Sequence, residues 1–152
     1  MNTILGTVEV ELPLLNAISE AQASTHPAPG KWSKKEELGH LIDSAANNHL
    51  RFARAALYGN YEGPGYDQDR WVALHGYQDM TLETIIGLWH RYNGLLARLV
   101  EQIEPNRLEA LCIVGDGDPV TLGFLIDDYV LHMQHHLDHI LGREPITPYP
   151  RT

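Results

Sequence analysis

A histidine at position 40 and a His-x-x-His-His run at His132, His135 and His136 are the side chains of this sequence best suited to hold a metal ion. Neutral imidazole is the commonest protein ligand for late first-row divalent ions, and a set of three leaves one coordination position open for water or substrate. On a helix, residues four apart share a face with Cβ atoms about 5–6 Å apart, so His132 and His136 can reach a single ion. His135 and His139 form a second such pair. These residue types point first to a metalloenzyme.

The elements that must position them can be read from spacing. Thr121 suits an N-cap and Gly142 a stop, so one helix carries the whole run. At about 100° per residue its apolar arc is Leu122, Ile126, Val130, Met133, Leu137 and Ile140, with His136 at the edge of that arc beside Tyr129. His135 and His139 lie further round toward water, which makes His132 and His136 the better pair for a site between helices. Asp128, one turn before His132, is placed to accept a spare ring N–H or to serve as a base. His40 falls on another helix, opened by the capping box Ser33-Lys34-Lys35-Glu36 and closed by Gly59. Its apolar arc is Leu38, Leu41, Ile42, Ala45, Phe52 and Ala56, and its other face gathers His40, Asp43, Ser44, Asn47 and Arg51. If that face lines a cleft, Asn47 and Arg51 are the candidate anchors for a substrate or a thiol. Otherwise it is a solvated stripe, and periodicity leaves both readings open.

The remaining chain reads as scaffold. A first helix is expected over residues 12–23 with Pro13 in its first turn, and a third from Thr81 to near Pro105. Residues 60–80 read as a long loop whose Tyr61, Tyr66, Trp71 and Tyr77 pack back on the body. Residues 111–114 and their return across Gly115-Asp116-Gly117-Asp118-Pro119 suggest a short hairpin before the last helix. The expected fold is an all-α four-helix bundle in one domain, with a core over about residues 8–142 and a Pro-rich tail at 143–152. His26, His49, His75 and His90 stand alone as surface or core filler, Asp116 and Asp118 belong to a turn, and Cys112 reads as a small apolar residue.

Composition narrows the partners. The 152 residues carry 20 acidic and 11 basic side chains, a net charge of −9 that repels phosphate backbones, so nucleic acid is not an expected partner. The single cysteine fits a reducing cytoplasm, and no apolar run approaches the roughly 20 residues of a membrane span.

Three separated motifs resemble the DinB/YfiT-like superfamily of small metal-binding bundles. They are Gly30-Lys31-Trp32-Ser33 continuing through Gly39-His40-Leu41-Ile42-Asp43-Ser44, Asn47 and Arg51-Phe52; then Tyr66-Asp67-Gln68-Asp69-Arg70-Trp71; and finally His132 through Ile140, a likeness spanning residues 28–141. The resemblance implies an up-down-down-up bundle, a homodimer, and one divalent ion, nickel or zinc, on His40, His132 and His136. It also implies one of two activities: metal-dependent hydrolysis, or S-transfer from a low-molecular-weight thiol such as bacillithiol, mycothiol or glutathione to a small-molecule substrate. The rival from another class is a non-catalytic metal- or ligand-binding bundle, a stress-related protein included. An open coordination position beside a pocket favours catalysis, whereas a saturated site without a cleft favours the binder.

Overall fold

The computed structural model describes residues 3–146 and Tyr149; the rest of the expected tail, residues 147–148 and 150–152, lies outside the described residues. Four long helices carry the architecture: α1 (Ile4–Asn16), α3 (Lys34–Tyr58), α5 (Leu82–Glu101) and α6 (Leu122–Ile140), with short helices α2 (Glu20–Ser24) and α4 (Gln68–His75) between them. Helix α3 packs on α5 and α6, and α1 packs on the same two from the opposite corner. The start of α3 meets the approach to α5, where Ser33 Oγ donates to Gln78 Oε1 at 2.5 Å, so these two helices run parallel. The end of α6 returns to the start of α3, where Lys34 Nζ donates to the Ile140 carbonyl. The order is up-down-down-up, as the motifs imply.

Local chemistry explains most boundaries. Ser33 accepts from the Glu36 amide while Glu36 Oε1 accepts from the Ser33 amide, the reciprocal pair expected at the head of α3. Gly59 ends that helix at φ +89°, a conformation that an L side chain resists. Thr81 and Thr121 cap α5 and α6 through their hydroxyls. The core is the joint apolar face of the four helices, with Phe52, Leu41, Ile85, Trp89, Leu96, Leu122, Met133 and Leu137 essentially fully buried. Cys112 is buried among them, which pushes its thiol up.

Three expectations need correction. The first helix begins at Ile4, capped by Thr3, whose hydroxyl accepts from the Gly6 amide, so Pro13 sits near its end instead of in its first turn. Its buried stripe of Ile4, Val8, Glu11 and Leu15 contains a carboxylate, which interrupts the apolar pattern in the sequence. The chain then breaks, and a Ser19–Gln22 capping box starts α2 separately. Residues 60–80 are not a bare loop: Tyr61–Gly63 form strand β1, Asp67 caps α4, and Tyr77–Asp79 make a 3-10 turn. Tyr77 is buried, and Tyr61, Tyr66 and Trp71 are half-buried, as a loop packed on the body would place them.

The expected hairpin is present as β2 (Leu111–Val114) and β3 (Val120–Thr121), pairing Cys112 with Val120. Strand β1 joins it in parallel, Tyr61 opposite Cys112, giving a sheet ordered β1-β2-β3. The start of the tail is also tied down. Arg143 bridges Asp138 and Glu11 at 2.7 Å each, and the Ile146 amide donates to Asp138 Oδ2 at 2.9 Å. No helix among the described residues is long and apolar enough to cross a membrane.

Glycine at position 39 is required by a close approach. A Cβ there would stand 2.2 Å from Cδ2 of Tyr77, whose ring is held by its hydroxyl on Asp43 and cannot easily withdraw. Gly39→Ala should therefore lower stability by about 1–3 kcal/mol, the usual cost of overpacking. Urea unfolding measures it, and an unchanged midpoint would show that Tyr77 is free to move.

Candidate metal centre

The antiparallel pairing of α3 and α6 brings His40, His132 and His136 together. Each offers one ring nitrogen, and the three nitrogens lie within 4.8 Å of one another, the one such group among the described residues. His40 Nε2 and His132 Nε2 are 3.2 Å apart, close to the roughly 3.3 Å edge of a tetrahedron drawn around an ion with bonds near 2.05 Å. The ring of His136 stands 4.7 Å from His40 and 4.6 Å from His132, edge-on to both.

Burial keeps the first two rings uncharged. His40 is fully buried beneath the Trp32 ring, centroids 5.0 Å apart. Desolvation, reinforced by His136, lowers its pKa from the usual 6.5 to about 4 against the opposing pull of Glu37. His132 falls to about 3, again by desolvation first and then by the neighbouring His136, His40 and His135. Neutral imidazoles converging on one point are the donor set that a late first-row divalent ion requires, so the residues present fit a metal.

A carboxylate that the sequence reading passed over fixes the third ring. Glu37, one turn before His40 on α3, accepts from His136 Nδ1–H at 2.9 Å and from His139 Nδ1–H at 2.6 Å. That bond commits Nδ1 of His136 to the proton and leaves Nε2 with its lone pair. Burial pushes the Glu37 carboxyl up, but the hydrogen bonds from His136 and His139 together outweigh it and leave it below the usual range. The capping box accounts for Glu36 and draws attention away from Glu37 beside it. Its spacing from His40 is the signal that could have found it.

Other expected site residues divide. Ser44, Arg51, Asp128 and His132 line one cavity of about 270 Å³ together with Asn48, Tyr66, Tyr129 and Tyr149. The face carrying His40, Asp43, Ser44 and Arg51 is therefore buried and does not form a solvated stripe. Asn47 turns aside: its amide donates to the Asp43 carbonyl at 2.9 Å, and the neighbouring Asn48 borders the cavity instead. At about 100° per residue, Ser44, Asn48 and Arg51 lie about 20–80° to one side of His40, toward α6, and Asn47 about 20° to the other. Of the histidines read as filler, His75 has a partner of consequence. Its Nδ1–H and the Tyr77 hydroxyl both donate to Asp43 Oδ1, at 2.9 and 2.7 Å, beneath the His40 turn. Burial raises the Asp43 carboxyl despite both bonds. Tyr149, from the tail, sets its ring 5.6 Å from His132 and 5.5 Å from His135.

The DinB superfamily model matches residues 9–140, most of the sequence. The chain belongs to the DinB superfamily. A relative from Oceanobacillus iheyensis, named "Putative metal-dependent hydrolase", is 25% identical over 123 residues, covering 81% of this chain and 71% of the relative. Among solved structures, YfiT from Bacillus subtilis superposes with a TM-score of 0.80 at 22% identity over 91% of this DinB-like chain and 81% of YfiT. A His-to-Ala variant of the mycothiol-dependent maleylpyruvate isomerase superposes with a TM-score of 0.72 at 12% identity, over 95% of this chain and 65% of that one. At such identities the two structures establish the shared bundle.

Two outcomes follow from the geometry. Removing the acceptor for His136 by Glu37→Gln should weaken divalent-metal affinity about 10–100-fold; competition with a chelating dye reads it, and unchanged affinity would show that Glu37 does not orient the ring. The metal-free protein should also lose stability on acidification. Unfolded histidines take protons near 6.5, whereas His40 and His132 resist them until about 4 and 3, so between these values the unfolded state binds more protons. The stability is present above pH 6.5 and falls as pH drops toward 4. Urea midpoints from pH 7.5 to 4.5 should show a shallower fall in His132→Phe, and identical slopes would contradict the assignment.

Proposed function

We propose that this chain is a divalent-metal-dependent hydrolase acting on a small molecule, with His40, His132 and His136 as the protein ligands of one ion, nickel or zinc. The observation that carries the reading is the convergence of three imidazole nitrogens beside a cavity that reaches His132. When bound, a divalent ion with an open position supplies a positive charge that lowers the pKa of water toward neutrality. The chain's own residues supply the rest. Glu37 holds the His136 tautomer through Nδ1, Trp32 covers His40 from solvent, and Tyr129 and Tyr149 narrow the cavity. Asp128, half-buried on the same wall as His132, is the group placed to take a proton from water there.

Hydrolysis is favoured over thiol transfer by space. A cavity of about 270 Å³ lies just below the range of small-molecule sites, which run from about 300 to 1,000 Å³. Water with a small substrate fits within it, whereas a bulky thiol cofactor would extend out through its mouth. The names of the sequence relatives agree with this reading.

Untagged protein should carry about one divalent ion per chain, in keeping with a three-imidazole site, and His132→Ala should lose both the ion and metal-dependent turnover of small esters and amides. Full metal content in that variant would reject the site. Turnover that required bacillithiol, mycothiol or glutathione would replace hydrolysis by thiol transfer.

A further inference from the structure

Arg51 is buried, 8% exposed, yet none of the ion pairs among the described residues includes it. The comparable cations are matched: buried Lys35 meets Glu20, and Arg143 meets Glu11 and Asp138. The hydrogen bonds of Arg51 are long and go to neutral acceptors, Nη1 to Asn48 Oδ1 at 3.4 Å and Nη2 to the Pro64 carbonyl at 3.3 Å. The Tyr66 ring lies 5.9 Å from its central carbon. A cation taken from water with no carboxylate bonded to it is costly, so a fold that keeps one has a use for it. The place where Arg51 meets open space is the cavity it shares with His132.

The geometry points to Arg51 as the anchor for a substrate carboxylate, so that the cavity beside His132 takes small carboxylic acids and their derivatives. This deepens the hydrolase reading and rests on it for the claim that the cavity is the substrate's place. A guanidinium is a planar fork that matches a carboxylate with two parallel hydrogen bonds. Asn48, Pro64 and Tyr66 hold that fork in place while satisfying little of its donor capacity. Arg51 is the one lysine or arginine among the residues that line this cavity. An acid therefore lies with its carboxylate on Arg51 and the rest of the molecule toward His132.

The test uses the whole chain freed of metal, titrated with acetate and benzoate and, in parallel, with acetamide and benzamide. The Arg51 Nε–H resonance, assigned by its loss in Arg51→Lys, reports binding. The expected result is a saturable shift with the acids, at least about tenfold weaker with the amides, and no saturable binding by Arg51→Met on the neighbouring Asn48 side-chain resonance. Should Arg51→Met fail to fold, Arg51→Lys keeps the charge and loses the fork, and its acid affinity on the Asn48 resonance should drop several-fold. Equal responses to acids, amides and chloride, or equal acid binding by wild type and Arg51→Lys, would overturn the inference. Because no ion is present, the two readings fail separately. A chain that binds metal but no acid contradicts only the carboxylate anchor, and one that binds acids but never metal contradicts only the hydrolase.

Discussion

Two imidazole nitrogens held 3.2 Å apart in the interior, with neither ring charged, form the constraint around which this bundle is arranged. Placed in water, such a pair would drift apart or protonate. Here desolvation suppresses protonation and packing prevents separation. His40 is trapped between Trp32 and the α6 rings, and His132 is held by the helix that also carries His136.

That constraint sets the register of α3 against α6, and the contacts between the two helices serve it. Lys34 meets the Ile140 carbonyl, Glu37 meets His136 and His139, and His40 meets His132, successive turns of one helix against successive turns of the other in reverse. A slip of one residue would rotate each of these side chains by about 100° and separate the cluster. Glu37 links the register to the chemistry, since the bond that helps align the helices also decides which nitrogen of His136 carries the proton. Below them, the Tyr77 ring pressed on Gly39 and bonded to Asp43 fixes the connection between α3 and α5 to the same stretch of helix.

Much of this was legible in the sequence because it is local. The Ser33 capping box, the Gly59 stop, the Thr81 and Thr121 caps, the hairpin and the apolar arc of α6 each arise from residues a few positions apart. The three-imidazole set followed from spacing on α6 together with the family motifs. What escaped was non-local. The β1 strand pairs in parallel with a partner some fifty positions downstream, Tyr61 with Cys112, which leaves no trace in its own neighbourhood. Glu11 interrupts the α1 stripe because its counter-charge is Arg143 at the far end of the chain. The choice of Asn48 over Asn47 at the cavity depends on where α6 leans against α3, a matter of helix packing that single-helix stepping does not contain.

X-ray absorption spectroscopy of the zinc-loaded protein tests the three-imidazole centre most directly, because it counts ligands without requiring a substrate. The structure predicts three imidazole nitrogens at about 2.0–2.1 Å, with the outer-shell scattering of three rings, and a further light atom from solvent. A first shell with two or fewer imidazoles, or one saturated by four protein ligands, would contradict it.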